Sequence, residues 1–301
     1  MKVFVTGAQG QLGYDVVNEL INRGYDVIAS DIKSHNSSYN CDYVQLDICN
    51  KKDVEFIIDK HRPDAVIHCA AWTNVDEAEK PENIKKVRDI NVNGTKNIAN
   101  ACDNINCKML YISTDYVFNG RNYTSIEPEY ERCGSLNIYG TSKLSGERIV
   151  DKLEKYFIVR ISWAFGVNGS NFVKTMLNLG KTNKDIQVVY DQIGSPTYTY
   201  DLAKLLADMI NTDKYGYYHA TNEGYISWYE FAKAIFKQAV ELGHTEYEDV
   251  TVIPINTADY KSLARRPLCN KLDKSKLVEK GFNLLPPWED ALSRYLKEIE
   301  F

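Results

Sequence analysis

Tyr139 and Lys143 are the residues whose types and spacing most directly indicate chemistry. Four positions apart, a phenol and an ammonium group would lie on one face of a helix. A neighbouring lysine cation favours the phenolate and lowers the pKa of tyrosine from about 10 toward working pH, so the phenol could donate and accept a proton. Because this spacing is common in proteins, the pair indicates an enzyme only in the right structural context.

Two hydroxyl residues, Ser113 and Thr114, follow an apolar run of strand length that begins at Met109. The carboxyl ends of strands in a doubly wound parallel sheet face the ligand crevice. Either hydroxyl could therefore hydrogen-bond the substrate oxygen that Tyr139 protonates. The alternative is that both hydroxyls only close a turn at the strand end.

A glycine-rich segment follows the first apolar run and precedes a helical pattern. Gly7 permits a tight turn, Gly10 lets the backbone approach a pyrophosphate, and Gly13 allows close packing of helix on strand. The helix would then present free amides to phosphate. The predicted cofactor-binding residues of this segment are Gly7, Gln9, Gly10, Gln11, Leu12 and Gly13. The spacing is G-x-x-G-x-x-G, and the alternative is a glycine-rich turn with no ligand.

Asp31 ends the second predicted strand. A carboxylate there can accept hydrogen bonds from the adenosine ribose and would repel a 2′-phosphate, which favours NADH over NADPH. Lys33 could offset that repulsion, and Asp31 could instead be a turn residue. Asp47 and Ile48 are predicted to flank the adenine, with a helix cap before Lys51 as the alternative.

The elements that must position these residues are apolar runs of strand length that alternate with helical patterns. The predicted strands are 2–6, 27–30, 65–69, 109–113, 157–161 and 186–190. One predicted helix ends at Gly24, and a second begins at Pro81. The sequence predicts an α/β fold with a Rossmann-type doubly wound parallel sheet in residues 1–162, joined by residues 186–212. Residues 163–301 would form mainly a smaller C-terminal substrate-binding lobe, in which Ser227 to Glu230 form a structural capping box.

Composition excludes several other classes of protein. A net charge of −5 gives no basic surface for nucleic acid. The seven cysteines are scattered and lack a C-x-x-C pair, which argues against a disulfide framework and a zinc site. The apolar stretch before Gly7 is too short for a signal peptide, and no later run reaches membrane-spanning length. We therefore expect a soluble cytoplasmic protein that binds neither nucleic acid nor membrane.

Six segments resemble the extended short-chain dehydrogenase/reductase family, and within it the dTDP-4-dehydrorhamnose reductases. These segments are 68–76, 113–118, 137–143, 160–163, 191–197 and 266–267. The resemblance implies that Thr114, Tyr139 and Lys143 are catalytic and that Tyr139 protonates the C4 oxygen of a ketosugar. Tyr139 and Lys143 would also contact the cofactor, together with Ala70, Ala71 and Thr73. The implied substrate-binding residues are Thr114, Asp115, Trp163, Asn171 and Arg266.

Some details of the resemblance are informative. Arg265 or Arg266 would pair with the diphosphate, and Arg266 is favoured because it precedes proline as in the family. Related dehydratases carry a glutamate where this chain has Tyr116, so dehydration is disfavoured. Trp72 stands where these reductases often carry histidine, and Cys69 replaces a small apolar residue.

The resemblance implies an NADH- or NADPH-dependent reduction of dTDP-6-deoxy-L-lyxo-4-hexulose to dTDP-L-rhamnose. It also allows a homodimer and magnesium, although no carboxylate cluster in the sequence nominates a metal site. Two alternatives stay open. One is a non-catalytic subunit like the regulatory subunit of methionine adenosyltransferase, which resembles the same family. The other is a reductase of a different nucleotide-linked 4-ketosugar.

Overall fold

A computed structural model describes residues 1–34, 40–121, 125–126, 128–129 and 133–300. Its centre is a seven-stranded sheet in which every pair of neighbouring strands is parallel. Its strands are β1 (Lys2–Thr6), β2 (Asp26–Asp31), β3 (Asp42–Gln45), β4 (Ala65–His68), β5 (Lys108–Thr114), β6 (Tyr156–Ile161) and a seventh, Gly216–His219. Their spatial order is β3-β2-β1-β4-β5-β6 followed by Gly216–His219. The order reverses between β1 and β4, where α/β sheets of this type bind ligands.

Helices cover both faces of this sheet. Alternate strand residues point to opposite sides, so a strand that is apolar throughout has two faces to bury. In β1, Val3 and Val5 join one apolar cluster and Phe4 joins the other, and all three are fully buried. The helices of the first half of the chain are α1 (Gln11–Asn22), α2 (Lys51–His61), α3 (Val75–Ala78), α4 (Pro81–Arg88), α5 (Thr95–Ile105) and α6 (Ile138–Val150). Apolar residues of α1 pack on one face, and those of α2 and α5 on the other. The doubly wound α/β fold is therefore as predicted.

The predicted helix at Pro81 is present, but it is not regular throughout. α4 continues through a π-helical segment, Asp89–Gly94, into α5. The change in winding turns the side chain of Asn91 inward, where it is 1% exposed. π-Helical segments of this kind often occur at functional sites.

The second half of the chain forms shorter elements. The strands are β7 (Ala164–Phe165), β8 (Asp185–Val189), β9 (Ile193–Gly194), β10 (Thr197–Tyr198), β11 (Gly216–His219, the seventh sheet strand), β12 (Asn222–Glu223), β13 (Ile226–Ser227), β14 (Thr251–Ile255) and β15 (Leu285–Pro287). The helices are α7 (Phe172–Gly180), α8 (Thr199–Ile210), α9 (Trp228–Glu241), α10 (Ser275–Glu279) and α11 (Trp288–Glu298). A separate aromatic-rich cluster joins α7, α9 and α11.

One prediction about this half needs correction. The strand at 186–190 does not join the main sheet, because β8 pairs in parallel with β14. By contrast, α8 packs against α1 in the core of the main sheet, and β11 extends that sheet beyond β6. The division of the chain into two domains stays a prediction. In the described part of the chain, no helix has both the length and the apolar character needed to cross a bilayer.

Candidate active site

A cavity of about 630 Å³ lies at the carboxyl ends of β1, β2, β4, β5 and β6. Most of the residues predicted for the cofactor, the substrate or catalysis line it. They are Gly7, Gln9, Gly10, Gln11, Leu12, Gly13, Asp31, Asp47, Ile48, Ala70, Ala71, Thr73, Thr114, Asp115, Tyr139, Lys143 and Trp163. Residues far apart in sequence therefore meet in one space large enough for a small-molecule ligand.

The glycine segment turns sharply from β1 into α1. Gly7 has a φ of +67°, and a Cβ atom there would lie 2.6 Å from the backbone nitrogen of Ala70. A Cβ atom at Gly13 would overlap the carbonyl oxygen of Gly7. Gly10 is the N-cap of α1 and supplies no side chain to its free amides. The first turn of α1 therefore presents unsatisfied donors along the cavity, as a phosphate-binding helix start does.

Asp31 is held by the backbone at the rim of the cavity. One carboxylate oxygen accepts the amide of Gln9 at 3.0 Å, and the other accepts the amide of Lys33 at 3.2 Å. Asp47 does not cap α2, because Asn50 holds that position and accepts the amide of Asp53. The helix-cap alternative for Asp47 is therefore wrong.

A fixed chain of hydrogen bonds lies behind residues 70–73, which are predicted to contact the cofactor. Thr95 donates its hydroxyl proton to the carbonyl of Asn91 at 2.9 Å, so its oxygen accepts from Nε2 of His68. Nδ1 of His68 must then accept from Thr6 at 2.7 Å, and Thr6 accepts the amide of Ala70 at 3.2 Å. Burial lowers the pKa of His68 to about 3, which agrees with a neutral ring in one tautomer.

Asn91 links residues 70–73 to the helix that carries Tyr139. It accepts the amide of Trp72 at 2.8 Å and donates to Ser142 at 2.9 Å. Ser142 in turn donates to the carbonyl of Tyr139 at 2.6 Å. Asn91 carries no sequence signal of this role, because only the π-helical segment turns it inward.

Tyr139 and Lys143 both lie on α6 and face the cavity. Burial raises the pKa of Tyr139 to about 12, and a hydrogen bond with Thr114 is the largest opposing influence. The prediction that Lys143 lowers this pKa toward neutrality is therefore wrong, because the desolvation of the phenol dominates. Burial also lowers the pKa of Lys143 to about 7, while Glu147 acts to raise it.

The structure distinguishes the two strand-end hydroxyls. Ser113 donates to Glu147 at 2.5 Å, and Glu147 also accepts two hydrogen bonds from Arg160 at 2.7 and 2.8 Å. Ser113 is therefore committed to a buried ion pair, whereas Thr114 donates to Asp115 at 3.1 Å and also acts on Tyr139, whose pKa it tends to lower. Asp115, beside Thr114, is buried and accepts from Asn270 at 3.0 Å, and burial raises its pKa to about 6.

Comparison with known proteins agrees with this geometry. Residues 1–301 match the family described as the RmlD substrate binding domain. A dTDP-4-dehydrorhamnose reductase of Aggregatibacter actinomycetemcomitans is 40% identical, and the alignment covers 97% of each chain. The chain belongs to the RmlD family.

Solved structures of RmlD-family proteins extend the likeness to three dimensions. The dTDP-4-dehydrorhamnose reductase of Bacillus anthracis, in complex with NADP, has a TM-score of 0.87 and 40% identity. An orthologue from Clostridium acetobutylicum has a TM-score of 0.89 and 37% identity. Each alignment covers 99% of both chains. The predicted family and the Rossmann-type fold are confirmed.

Trp228 is a cavity residue of this RmlD-family chain that the sequence analysis assigned only a structural role. The predicted capping box is present, since Ser227 accepts the amide of Glu230 and Glu230 accepts the amide of Ser227. The next residue, Trp228, stacks on Trp163 with ring centroids 3.6 Å apart. Trp163 has a φ of +48°, which turns its indole onto Trp228. A cap predicts where a helix starts and says nothing about which side chain faces a ligand.

Two residues predicted to bind substrate do not line the cavity. Asn171 caps α7 by accepting the amide of Lys174, and its own amide donates to Gln11 and Tyr295. Arg266 pairs with Asp76 at 2.5 Å, so a carboxylate already neutralises its charge. Their roles in substrate binding stay predictions, and in this structure a helix cap and an ion pair hold the two side chains. Among the described residues, no group of three or more histidine, cysteine, aspartate or glutamate side chains could hold a metal ion.

Proposed function

We propose that this chain reduces the C4 keto group of dTDP-6-deoxy-L-lyxo-4-hexulose with a nicotinamide cofactor and forms dTDP-L-rhamnose. The observation that carries the proposal is the meeting of Thr114, Tyr139 and Lys143 with the glycine segment in one cavity. Membership of the RmlD family and 40% identity to a dTDP-4-dehydrorhamnose reductase support the same reaction.

The residues around the cavity fit a dinucleotide. The uncapped first turn of α1 suits a pyrophosphate, since its amides have no side-chain acceptor at the N-cap. Asp31 stands where it can accept from the adenosine ribose, and Asp47 and Ile48 can flank the adenine. Ala70, Ala71 and Thr73 would line the path toward Tyr139 and Lys143. When bound, the reduced nicotinamide supplies a hydride to C4 of the sugar.

Tyr139 is suited to the acid step of this reduction. Its raised pKa keeps the phenol protonated at neutral pH, so a proton is available for the C4 oxygen. As hydride adds to C4, the phenolic proton moves to the oxygen, and the C=O bond becomes CH–OH. The Thr114 hydroxyl, which donates to Asp115 in this structure, can turn to donate to the phenolate that remains and stabilise it. Lys143, with a pKa of about 7, can exchange the replacement proton near neutrality.

The cofactor preference follows from the rim of the cavity. Asp31 is fixed by two backbone amides, so its negative charge would stay where a 2′-phosphate must enter. Lys33 also lines the cavity and would attract that phosphate. The proposal is that both cofactors are used and that NADH is favoured, because a carboxylate held by the backbone cannot easily move aside.

The test is turnover of a panel of nucleotide-linked 4-ketosugars by the purified chain. Turnover is measured as the oxidation of NADH or NADPH. We expect the dTDP-6-deoxy-L-lyxo-4-hexulose to be consumed fastest and Tyr139→Phe to lose at least about 100-fold in kcat. Tyr215→Phe is the matched control, because Tyr215 lies beside Asp213 at the amino ends of the sheet strands, opposite the cavity. Equal activity of Tyr139→Phe and the wild type would refute the assigned acid.

The same panel separates the alternatives. Faster consumption of another ketosugar would assign the chain to that substrate. A non-catalytic regulatory subunit would turn over none of them and would instead co-purify with a partner synthetase.

A further inference from the structure

We propose that the aromatic face of Tyr111 holds the ammonium group of Lys143 in its charged form at the reaction centre. Tyr111 is then a positioning residue for proton transfer, although it is absent from the cavity wall. The role within the reaction rests on the proposed reductase function. The contact between ring and ammonium stands on the structure alone.

The geometry is that of a buried cation–π contact. Nζ of Lys143 lies 4.1 Å from the centroid of the Tyr111 ring. Such contacts act within about 6 Å and are strongest when water is excluded. Tyr111 is fully buried and Lys143 is 4% exposed, so the ring stands where water would otherwise solvate the ammonium.

The ring has little freedom to move away. Tyr111 lies in the middle of β5, between β4 and β6. Gly146 on α6 leaves room for it, because a Cβ atom there would lie 2.8 Å from Cζ of Tyr111. His68 packs against the ring with centroids 5.9 Å apart and an interplanar angle of 26°. The tyrosine hydroxyl donates to the carbonyl of Lys143 at 3.3 Å, which ties the ring to the backbone of the residue it stabilises.

The titratable groups around Lys143 are either neutral or already bound by other side chains, so they stabilise its ammonium group only in part. Glu147, one turn further along α6, attracts the ammonium, but Arg160 on β6 and Ser113 on β5 already bind its carboxylate. Cys69 and His68, at the end of β4, also interact with Lys143. Burial raises the pKa of the Cys69 thiol to about 12 and lowers that of His68 to about 3, so both stay neutral.

Other charged groups on elements packed against α6 have partners of their own. Asp76 on α3 pairs with Arg266, and Glu79 accepts the amide of Ile138. Asp115, in the turn after β5, accepts from Asn270. Asp89, in the π-helical segment, pairs with Lys85. The Tyr111 ring, 4.1 Å from Nζ, is therefore a contact of the ammonium that no other cation shares, whereas the nearby carboxylates of Glu147 and Asp76 are each paired with an arginine.

The experiment lowers the electron density of the ring at position 111 in steps, while the shape of the ring stays nearly constant. Tyr111→Phe keeps the aromatic face, and phenylalanines with one, two and three ring fluorines placed at position 111 weaken it stepwise. The pKa of Lys143 is read by NMR titration of lysines labelled with ¹³C at Cε, and Lys143→Arg assigns the resonance. Thermal unfolding of each variant confirms that it is folded.

We expect Tyr111→Phe to leave the pKa of Lys143 within about 0.3 unit of wild type. The trifluorinated ring should lower it by about 0.5–1 unit, with the others between. Tyr111→Leu should lower the pKa of Lys143 by as much as the trifluorinated ring does. The alkaline limb of the pH profile of kcat should move to lower pH in parallel. A pKa that does not change across the fluorinated series, or that rises, would overturn the proposal. The resonance is measured without turnover, so failure of the chain to reduce any ketosugar would count only against the proposed function.

Discussion

The ion pair between Glu147 and Arg160 is buried, with side chains 1% and 3% exposed. Arg160 donates to both carboxylate oxygens, at 2.8 and 2.7 Å, and Ser113 donates to one of them. Glu147→Gln keeps the shape of the side chain and removes its charge. The guanidinium of Arg160 would then stay in the core without a counter-charge. We therefore expect a large loss of stability.

The size of the loss follows from burial. Removing one partner of a buried pair costs about 3–5 kcal/mol in free energy of unfolding. An unfolding entropy of about 2.1 cal/mol/K per residue gives about 630 cal/mol/K for the 301 residues. The melting temperature should thus fall by about 5–8 °C, since each kcal/mol corresponds to about 1.6 °C.

The assay is scanning calorimetry of Glu147→Gln, Glu147→Met, Arg160→Met and the double variant Glu147→Met/Arg160→Met. The double variant should lose less than the sum of its singles, because it leaves no unpaired buried charge. Asp59→Asn is the control, because Asp59 and Arg62 form a pair with side chains 71% and 64% exposed, and its melting temperature should change by less than about 1 °C. A change in Glu147→Gln as small as that of the control would refute this reasoning.

Substitutions at three other positions test separate parts of the molecule. Thr114→Val should lower kcat about 100-fold, because it removes the hydroxyl that hydrogen-bonds Tyr139, while Thr114→Ser should retain most activity. Asp31→Asn should raise the ratio of kcat/KM for NADPH to that for NADH about tenfold, and an unchanged ratio would exclude charge repulsion as the cause of the preference. Burial raises the pKa of Asp15 to about 6 from an ordinary value near 3.8, so the ionised folded form is disfavoured. Asp15→Asn should therefore be more stable than wild type by about 2 kcal/mol at pH 7, and urea unfolding should show the advantage disappearing as pH falls from about 6 to about 4.

Local sequence was enough to predict five of the seven strands of the main sheet, all but β3 and β11, and the turn of the glycine segment. Strand runs such as Lys2–Thr6 are apolar on both faces, and a strand buried between two helical layers requires that pattern. The turn after β1 needs a left-handed residue at position 7 and no side chain at position 13, so the glycines themselves carry the information. The strand at 186–190 was wrongly assigned to the main sheet, because its sequence carries no information on its partner strand. An apolar run shows that a strand will be buried, and it does not show which partner strand will pair with it.

The parts of the site that sequence could not predict depend on neighbours distant in the chain. Arg266 has the right type to bind a phosphate, and local sequence does not reveal its ion pair with Asp76, 190 positions away. Asn171 stays a predicted substrate residue, and only the structure shows that it also caps a helix. Local sequence does not predict that Trp228 lines the cavity, because its stacking partner Trp163 comes from another part of the chain.

The sequence by itself determined which groups form the proposed reaction centre, because Thr114, Tyr139 and Lys143 are chemical types placed at a strand end and on one helix face. The tertiary structure decided their protonation. Burial raises the pKa of Tyr139 and lowers that of Lys143, in both cases because a desolvated side chain disfavours its charged form. Spacing along the chain fixes which groups can meet, but a pKa depends on how much water and which charges surround a group, and only the assembled fold sets those.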